Sequence, residues 1–200
     1  MSEISTVGVD LGKNVIHVCG MDAAGAVVLR KRCSRRQFQR WAARCVPCRM
    51  GLESCAGAHY WARTLVGYGH DVKVIHPRYV KPYVKTNKND TRDAEAFAEA
   101  LSRPTMRFVA IKTVTQQESR MRHRVRQRVM RQRTALVNQM RGFLLDFGLP
   151  VARGRAPLRR RLPAILEDGD NGLGDRGRAL LWELWHELQG LDERLAVLDQ

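Results

Sequence analysis

Residues 6–18, TVGVDLGKNVIHV, constrain the fold more than any other stretch. An apolar strand ends on a single carboxylate, Asp10; Gly12 and Lys13 turn the chain, and a second strand begins at once. Alternation and turn chemistry predict strands over 4–10, 14–21 and 26–32, with Asp22-Ala-Ala-Gly25 as the second turn, hence a three-strand meander. Ser34 is the expected N-cap of a helix running to about Arg44, with Phe38 and Trp41 on one face. Arg49–Glu53 then reads as a short apolar strand ending on a second carboxylate, Glu53. A helix from Gly57 to Gly69 follows, stopped by Gly69, and DVKVIHP reads as a strand closed by Pro77. RYVKPYVKTNK is expected as a loop into the helix NDTRDAEAFAEALS, capped by Asn89 or Asp90, with Ala94, Phe97, Ala98 and Leu101 on its apolar face.

Asp10 is the chemical question in this layout. An Asp-x-Gly turn after a first strand receives nucleotide phosphates in sugar kinases and actin-like ATPases, and an acid in the same place holds divalent metal in some nucleases. A chain of 200 residues is too short for the duplicated architecture of the first group, and it contains no second Asp-x-Gly strand opening. The charge favours the second: 35 Lys and Arg against 20 Asp and Glu leave a net charge of +15, the electrostatic footprint of a phosphate-rich partner.

Three strands, helix, strand, helix, strand, helix is the order of an RNase H-like, RuvC-type α/β fold, a mixed sheet flanked by helices, and we assign it to residues 1–110. Asp10 and Glu53 end the first and fourth strands, and Asp90 and Asp93 open the last helix three residues apart, on one helical face. Adjacent parallel strands would set Asp10 and Glu53 side by side with the helix start facing them. Four converging carboxylates repel one another unless metal compensates, so the expected cofactor is magnesium or manganese, two ions about 4 Å apart acting on a phosphodiester. Each acid also has a plainer reading: Asp90 as an N-cap, Asp93 as a first-turn acid on the helix dipole, Glu53 as a partner of His59 or Arg63. Their conjunction at matched positions favours the catalytic one. Lys13, Lys85 and Lys88 lie close enough in sequence to steer phosphate toward them.

Fourteen Lys or Arg residues fall between Lys112 and Pro163 against only Glu118 and Asp146. Residues 111–150 are read as a basic nucleic-acid-binding region built on one long helix over 115–147. Its expected apolar stripe is Met121, Val125, Val129, Leu136, Met140, Phe143 and Phe147, and its other faces carry Arg120, Arg122, Arg124, Arg126, Arg128, Arg131 and Arg133. Seven arginines without acidic partners one turn away would repel unless an anion lay alongside, and the guanidinium fork suits phosphate. Residues 151–177, with Pro, Gly and the Arg159–Arg161 cluster, read as a hinge or loop. Residues 178–200 place Leu181, Leu184, Leu188, Leu191, Leu195 and Leu198 in a heptad-like seam, either a bundle helix or the start of a coiled coil, with Trp182 and Trp185 expected to be buried beside it.

No basic segment followed by a long apolar one opens the chain, and no apolar run is long enough to span a bilayer, so the expectation is a cytoplasmic protein with no membrane partner. Five irregularly placed cysteines argue for a reducing compartment, and Cys45-Val-Pro-Cys48 is read as two half-buried thiols rather than half a zinc site.

The segments VGVDLGK, GLESCAGAHYWAR, HPRYVKPYVKTNKNDTRDAEAFAEA and RQRTALVNQMRGFLLDFG, in this order over about residues 5–150, resemble the N-terminal part of the DEDD transposases of bacterial insertion sequences, insertion sequence 110 type. The resemblance implies a tetrad of Asp10, Glu53, Asp90 and Asp93. It also implies a mobile-element recombinase acting on donor and target DNA, guided by a structured RNA and assembled as a homo-oligomer. Its serine nucleophile would sit on a C-terminal domain that none of the serines here, at 2, 5, 34, 54, 102 and 119, matches. This chain would then be an incomplete transposase, its last segment leading to that domain. Two other readings remain at this point: a Holliday-junction resolvase of the same fold, and a catalytically silent RNA- or DNA-binding module.

Overall fold

The computed structural model describes residues 4–83 and 90–200, without the side chains of residues 81 and 90–92. It divides into two compact units, residues 1–114 and 115–200.

The first unit is a mixed sheet with helices on both faces. Strands β1 (Thr6–Leu11), β2 (Val15–Met21) and β3 (Val27–Ser34) form the antiparallel meander, and Ser34 leads directly into α1 (Arg35–Ala42). The Ser34 hydroxyl accepts from the Gln37 backbone N–H at 3.3 Å while the Gln37 side chain accepts from the Ser34 N–H at 2.8 Å, a reciprocal capping box. Strand β4 (Arg49–Glu53) returns beside β1 in parallel, followed by α2 (Ala58–Gly67) and β5 (Asp71–Ile75), parallel to β4. Gly69, at φ +91°, closes α2: its N–H bonds Val66 O at 2.9 Å and the His70 N–H bonds Leu65 O at 3.2 Å.

Part of the segment expected as a loop is ordered as α3 (Pro77–Val80) and a 3-10 turn (Lys81–Tyr83), because Val80 is buried in a cluster with Ile75 and Phe97. Helix α4 (Asp90–Leu101) follows, then a two-residue strand β6 (Phe108–Val109) pairing antiparallel with β5. The sheet order is β3-β2-β1-β4-β5-β6; its first five strands have the order and directions of the RNase H-like, RuvC-type arrangement, and β6 adds an antiparallel edge.

Alternation along the strands divides the core. Val7 and Val9 of β1 and Met50 and Leu52 of β4 pack with Phe38, Trp61, Ala62 and Leu65 from α1 and α2. The intervening positions face α4, and two of them are glycines in register, Gly8 and Gly51. A Cβ on Gly8 would stand 1.9 Å from the Ala94 carbonyl oxygen, and one on Gly51 2.8 Å from Leu101 Cδ1. The missing side chains let α4 lie directly on the sheet.

The second unit is three helices: α5 (Val114–Asp146), α6 (Arg155–Glu167) and α7 (Asp175–Asp199). Helix α6 occupies the span expected as a hinge. Leu158, Leu162 and Ile165 recur at helical spacing and are buried with Leu136, Met140 and Leu144 of α5 and Leu181, Trp185 and Leu188 of α7, which outweighs Pro163 inside the helix. The buried face of α5 is Val129, Leu136, Val137, Met140 and Leu144; Met121, Phe143 and Phe147 of the expected stripe are exposed. Leu181, Leu184, Leu188 and Leu191 of the α7 seam pack within their own unit, as in an ordinary bundle. Trp185 is buried, but Trp182 points outward and stacks edge-on against His186.

Candidate functional site

Val9 and Leu52 are register partners on β1 and β4, so Asp10 and Glu53 are the next residues of two adjacent parallel strands. They share the parity of Gly8 and Gly51, so both carboxylates project from the α4 face of the sheet. Asp10 keeps 18% of its side-chain exposure, and its Oδ2 lies 3.9 Å from Nδ1 of His17, its direct partner on β2. The Cys55 thiol senses both acids: burial first, then the charges of Glu53 and Asp10, push its pKa above the ordinary thiol value. Sequence reasoning singled out neither His17 nor Cys55. Strand pairing brings the first to Asp10, and the turn after β4 brings the second.

Asp93, half-buried, directly precedes Ala94, whose carbonyl meets Gly8. Asp10 lies two residues beyond Gly8 on the same strand face, so the Gly8–Ala94 contact holds the first turn of α4 near the strand-end acids. The Asp90 backbone opens α4, one turn ahead of Asp93; its side chain lies outside what is described, and Lys85 and Lys88 fall outside the described residues. Lys13 is exposed in the turn between β1 and β2. Among the described residues no three His, Cys, Asp or Glu side chains are gathered closely enough to hold a metal ion. The two strand-end carboxylates supply hard oxygen donors and a negative potential, which fits a divalent cation of the magnesium class.

Helix α2 holds the segment that follows β6. The His59 ring accepts the Lys112 backbone N–H at Nδ1 (3.3 Å), and Arg63 donates to the Lys112 carbonyl at 2.6 Å. His70 serves a structural role beside the Cys45–Cys48 pair, accepting the Cys48 N–H at Nδ1 (3.2 Å) and donating from Nε2 to Ala42 O (3.0 Å). Both thiols are half-buried, and burial with the neighbouring Cys45 pushes Cys48 up to about 12.

The seven arginines of α5 separate into two sets. Arg122 donates to Leu198 O at 2.9 Å, Arg126 pairs with Asp199, and Arg133 pairs with Asp192 at 3.1 Å, all on α7. Arg155 of α6 joins Asp192 at 2.5 Å. Arg120, Arg124, Arg128 and Arg131 are exposed. Among the described residues no helix is long and apolar enough to cross a membrane.

Comparison with known proteins follows this geometry. Residues 7–148 match the family described as Transposase, the DEDD type of insertion sequence 110. The chain is 44% identical over 198 residues to a probable family 20 transposase of Pseudomonas aeruginosa, covering 98% of this chain and 59% of that protein. It is 48% identical over 160 residues to the transposase for insertion sequence element IS1328 of Yersinia enterocolitica, covering 80% and 48%. To the transposase for insertion sequence element IS1111A of Coxiella burnetii it is 42% identical over 200 residues, covering 100% and 55%. The chain thus spans between 48% and 59% of the length of these relatives. Among solved structures, T. thermophilus RuvC in complex with Holliday junction substrate aligns at a TM-score of 0.40 and 11% identity, over 54% of this chain and 100% of that one.

Proposed function

The chain belongs to the DEDD transposases of the insertion sequence 110 type, and we propose that its first unit carries the metal-dependent phosphodiester chemistry of an insertion-sequence recombinase. The observation that carries this reading is the register of Asp10 and Glu53, side by side on the face where the backbone of α4 meets Gly8. Asp10 and Glu53, with Asp93 and Asp90 from α4, are the residues that would hold magnesium or manganese, two ions in the fullest arrangement. Bound there, such ions supply activation of an attacking oxygen and neutralisation of charge on the leaving one. The chain's own contribution is orientation. Strand pairing holds the first two carboxylates, the Gly8 contact sets the helix that bears the others, and Lys13, Lys85 and Lys88 draw the phosphate backbone toward them.

The partners in this reading are donor and target DNA, a structured guide RNA, and further copies of the chain. This reading also calls for a serine nucleophile, and none of the serines of this chain matches the family's serine motif. The test is thermal unfolding with and without millimolar magnesium or manganese, comparing the parent with Asp10→Asn and Asp93→Asn. A metal-induced rise in Tm that both substitutions remove is expected from binding linkage. A parent whose Tm ignores both metals would overturn the reading.

A further inference from the structure

The arginines of α5 offer a second, separate surface. At 3.6 residues per turn, Arg120, Arg124, Arg128 and Arg131 fall within about 80° of one another around the helix, on the side away from the buried residues. They rise along about 16 Å of helix axis at about 1.5 Å per residue. Gln127, Thr134 and Asn138 are exposed in the same row. The two acids of α7 that face α5, Asp192 and Asp199, are engaged by the other set, Arg126, Arg133 and, from α6, Arg155. None of the four outward arginines makes an ion pair among the described residues. Like charges one turn apart on a helix repel by a few tenths of a kcal/mol per pair, so the row is a standing repulsion that a polyanion would relieve.

We propose that this row binds an unpaired nucleic-acid strand, its four guanidinium groups on phosphates along that strand. A single narrow row suits one strand: its length matches about four or five stacked nucleotides at 3.4 Å each. Guanidinium planes also stack on exposed bases, and the amides of Gln127, between Arg124 and Arg128, and of Asn138, beyond the end of the row, can bond to base edges that only an unpaired strand presents. Arg122, Arg126 and Arg133 are excluded from the contact, since they hold α5 against α7. The inference deepens the nucleic-acid part of the reading above without depending on the carboxylates.

The test is fluorescence anisotropy in EDTA across a salt series, with a 20-nucleotide single-stranded RNA, the same sequence as single-stranded DNA, and its duplex. EDTA removes the carboxylate site from the result, so a chain that ignores metal yet binds through the row sinks the catalytic reading alone. R120Q/R124Q/R128Q/R131Q should flatten the slope of log K against log salt on a single strand by about 3, at about 0.7 per lost phosphate contact. R122Q/R126Q/R133Q should lower Tm and leave that slope within about one unit. Arg128→Glu alone, a single exposed exchange, should flatten it by about 1 and keeps the test readable if the fourfold variant misfolds. The probe losing most affinity identifies RNA or DNA as the strand. An unchanged slope in the fourfold and Arg128→Glu variants, an equal loss in the inward variant, or tighter binding to duplex than to either single strand would overturn the proposal.

Discussion

Gly8 of β1 and Ala94 of α4 meet backbone to backbone: a Cβ on Gly8 would lie 1.9 Å from the Ala94 carbonyl oxygen and 2.6 Å from the Ala98 nitrogen. Neither atom belongs to a side chain that could rotate away, so the whole helix would have to lift. Because Asp10 is two residues along β1 and Asp93 adjoins Ala94, the same contact sets the spacing between the strand-end acid and the helix acids.

Gly8→Ala is therefore expected to destabilise the first unit by about 3 kcal/mol or more, at the upper end for overpacking. Urea denaturation measures it. If the folded fraction survives, the metal-induced rise in Tm should shrink with it, since α4 would stand off the sheet. A loss under about 0.5 kcal/mol, the range of an ordinary surface exchange, would contradict the contact.

Asp192 accepts from Arg133 at 3.1 Å and Arg155 at 2.5 Å, tying α5 and α6 to α7, and its side chain is 17% exposed. Asp192→Asn leaves two guanidinium groups facing a neutral amide. The second unit should lose about 1–2 kcal/mol, between the values for exposed and buried ion pairs. A double-mutant cycle with Arg133→Gln should show coupling; additive losses would mean that the pair is screened.

The Cys48 thiol, raised to about 12 by burial and by Cys45, stays protonated in the folded chain where an unfolded thiol ionises. The folded state then binds the extra proton, so stability falls as pH rises from the unfolded thiol value near 9 toward 12. Cys48→Ser should flatten that alkaline decline in a pH series of Tm. Iodoacetamide at pH 8 should leave Cys48 among the slowest thiols to react, because the thiolate is the nucleophile.

Much of the first unit was legible because its signals are local. Ser34 with Gln37 forms a cap within four residues, Gly69 ends α2 through its own backbone, and alternation in VGVDL and MGLE separates the face packed on α1 and α2 from the face under α4. The order of elements, with an acid at the end of β1 and of β4, followed from the same periodicities. The second unit was less legible. Gly, Pro and three consecutive arginines in 151–177 read as a hinge, yet burial of Leu158, Leu162 and Ile165 stabilises a helix there. An apolar stripe drawn through Met121 and Phe143 was displaced by one that includes Val137 and Leu144.

The sequence by itself determined the first five strands, most of the helices, their order and the family, since these rest on spacing within a few residues and on long matched segments. Tertiary structure alone decided what meets what. Strand register set Asp10 beside Glu53 and His17; the absence of two side chains, at Gly8 and Gly51, decided how closely α4 approaches them. The packing of α7 on α5 separated seven similar arginines into three that hold a bundle together and four that face solvent. Periodicity states which residues share a face, but which face is covered depends on partners distant in the chain, here Asp192 and Asp199 about sixty or seventy residues from the arginines they engage.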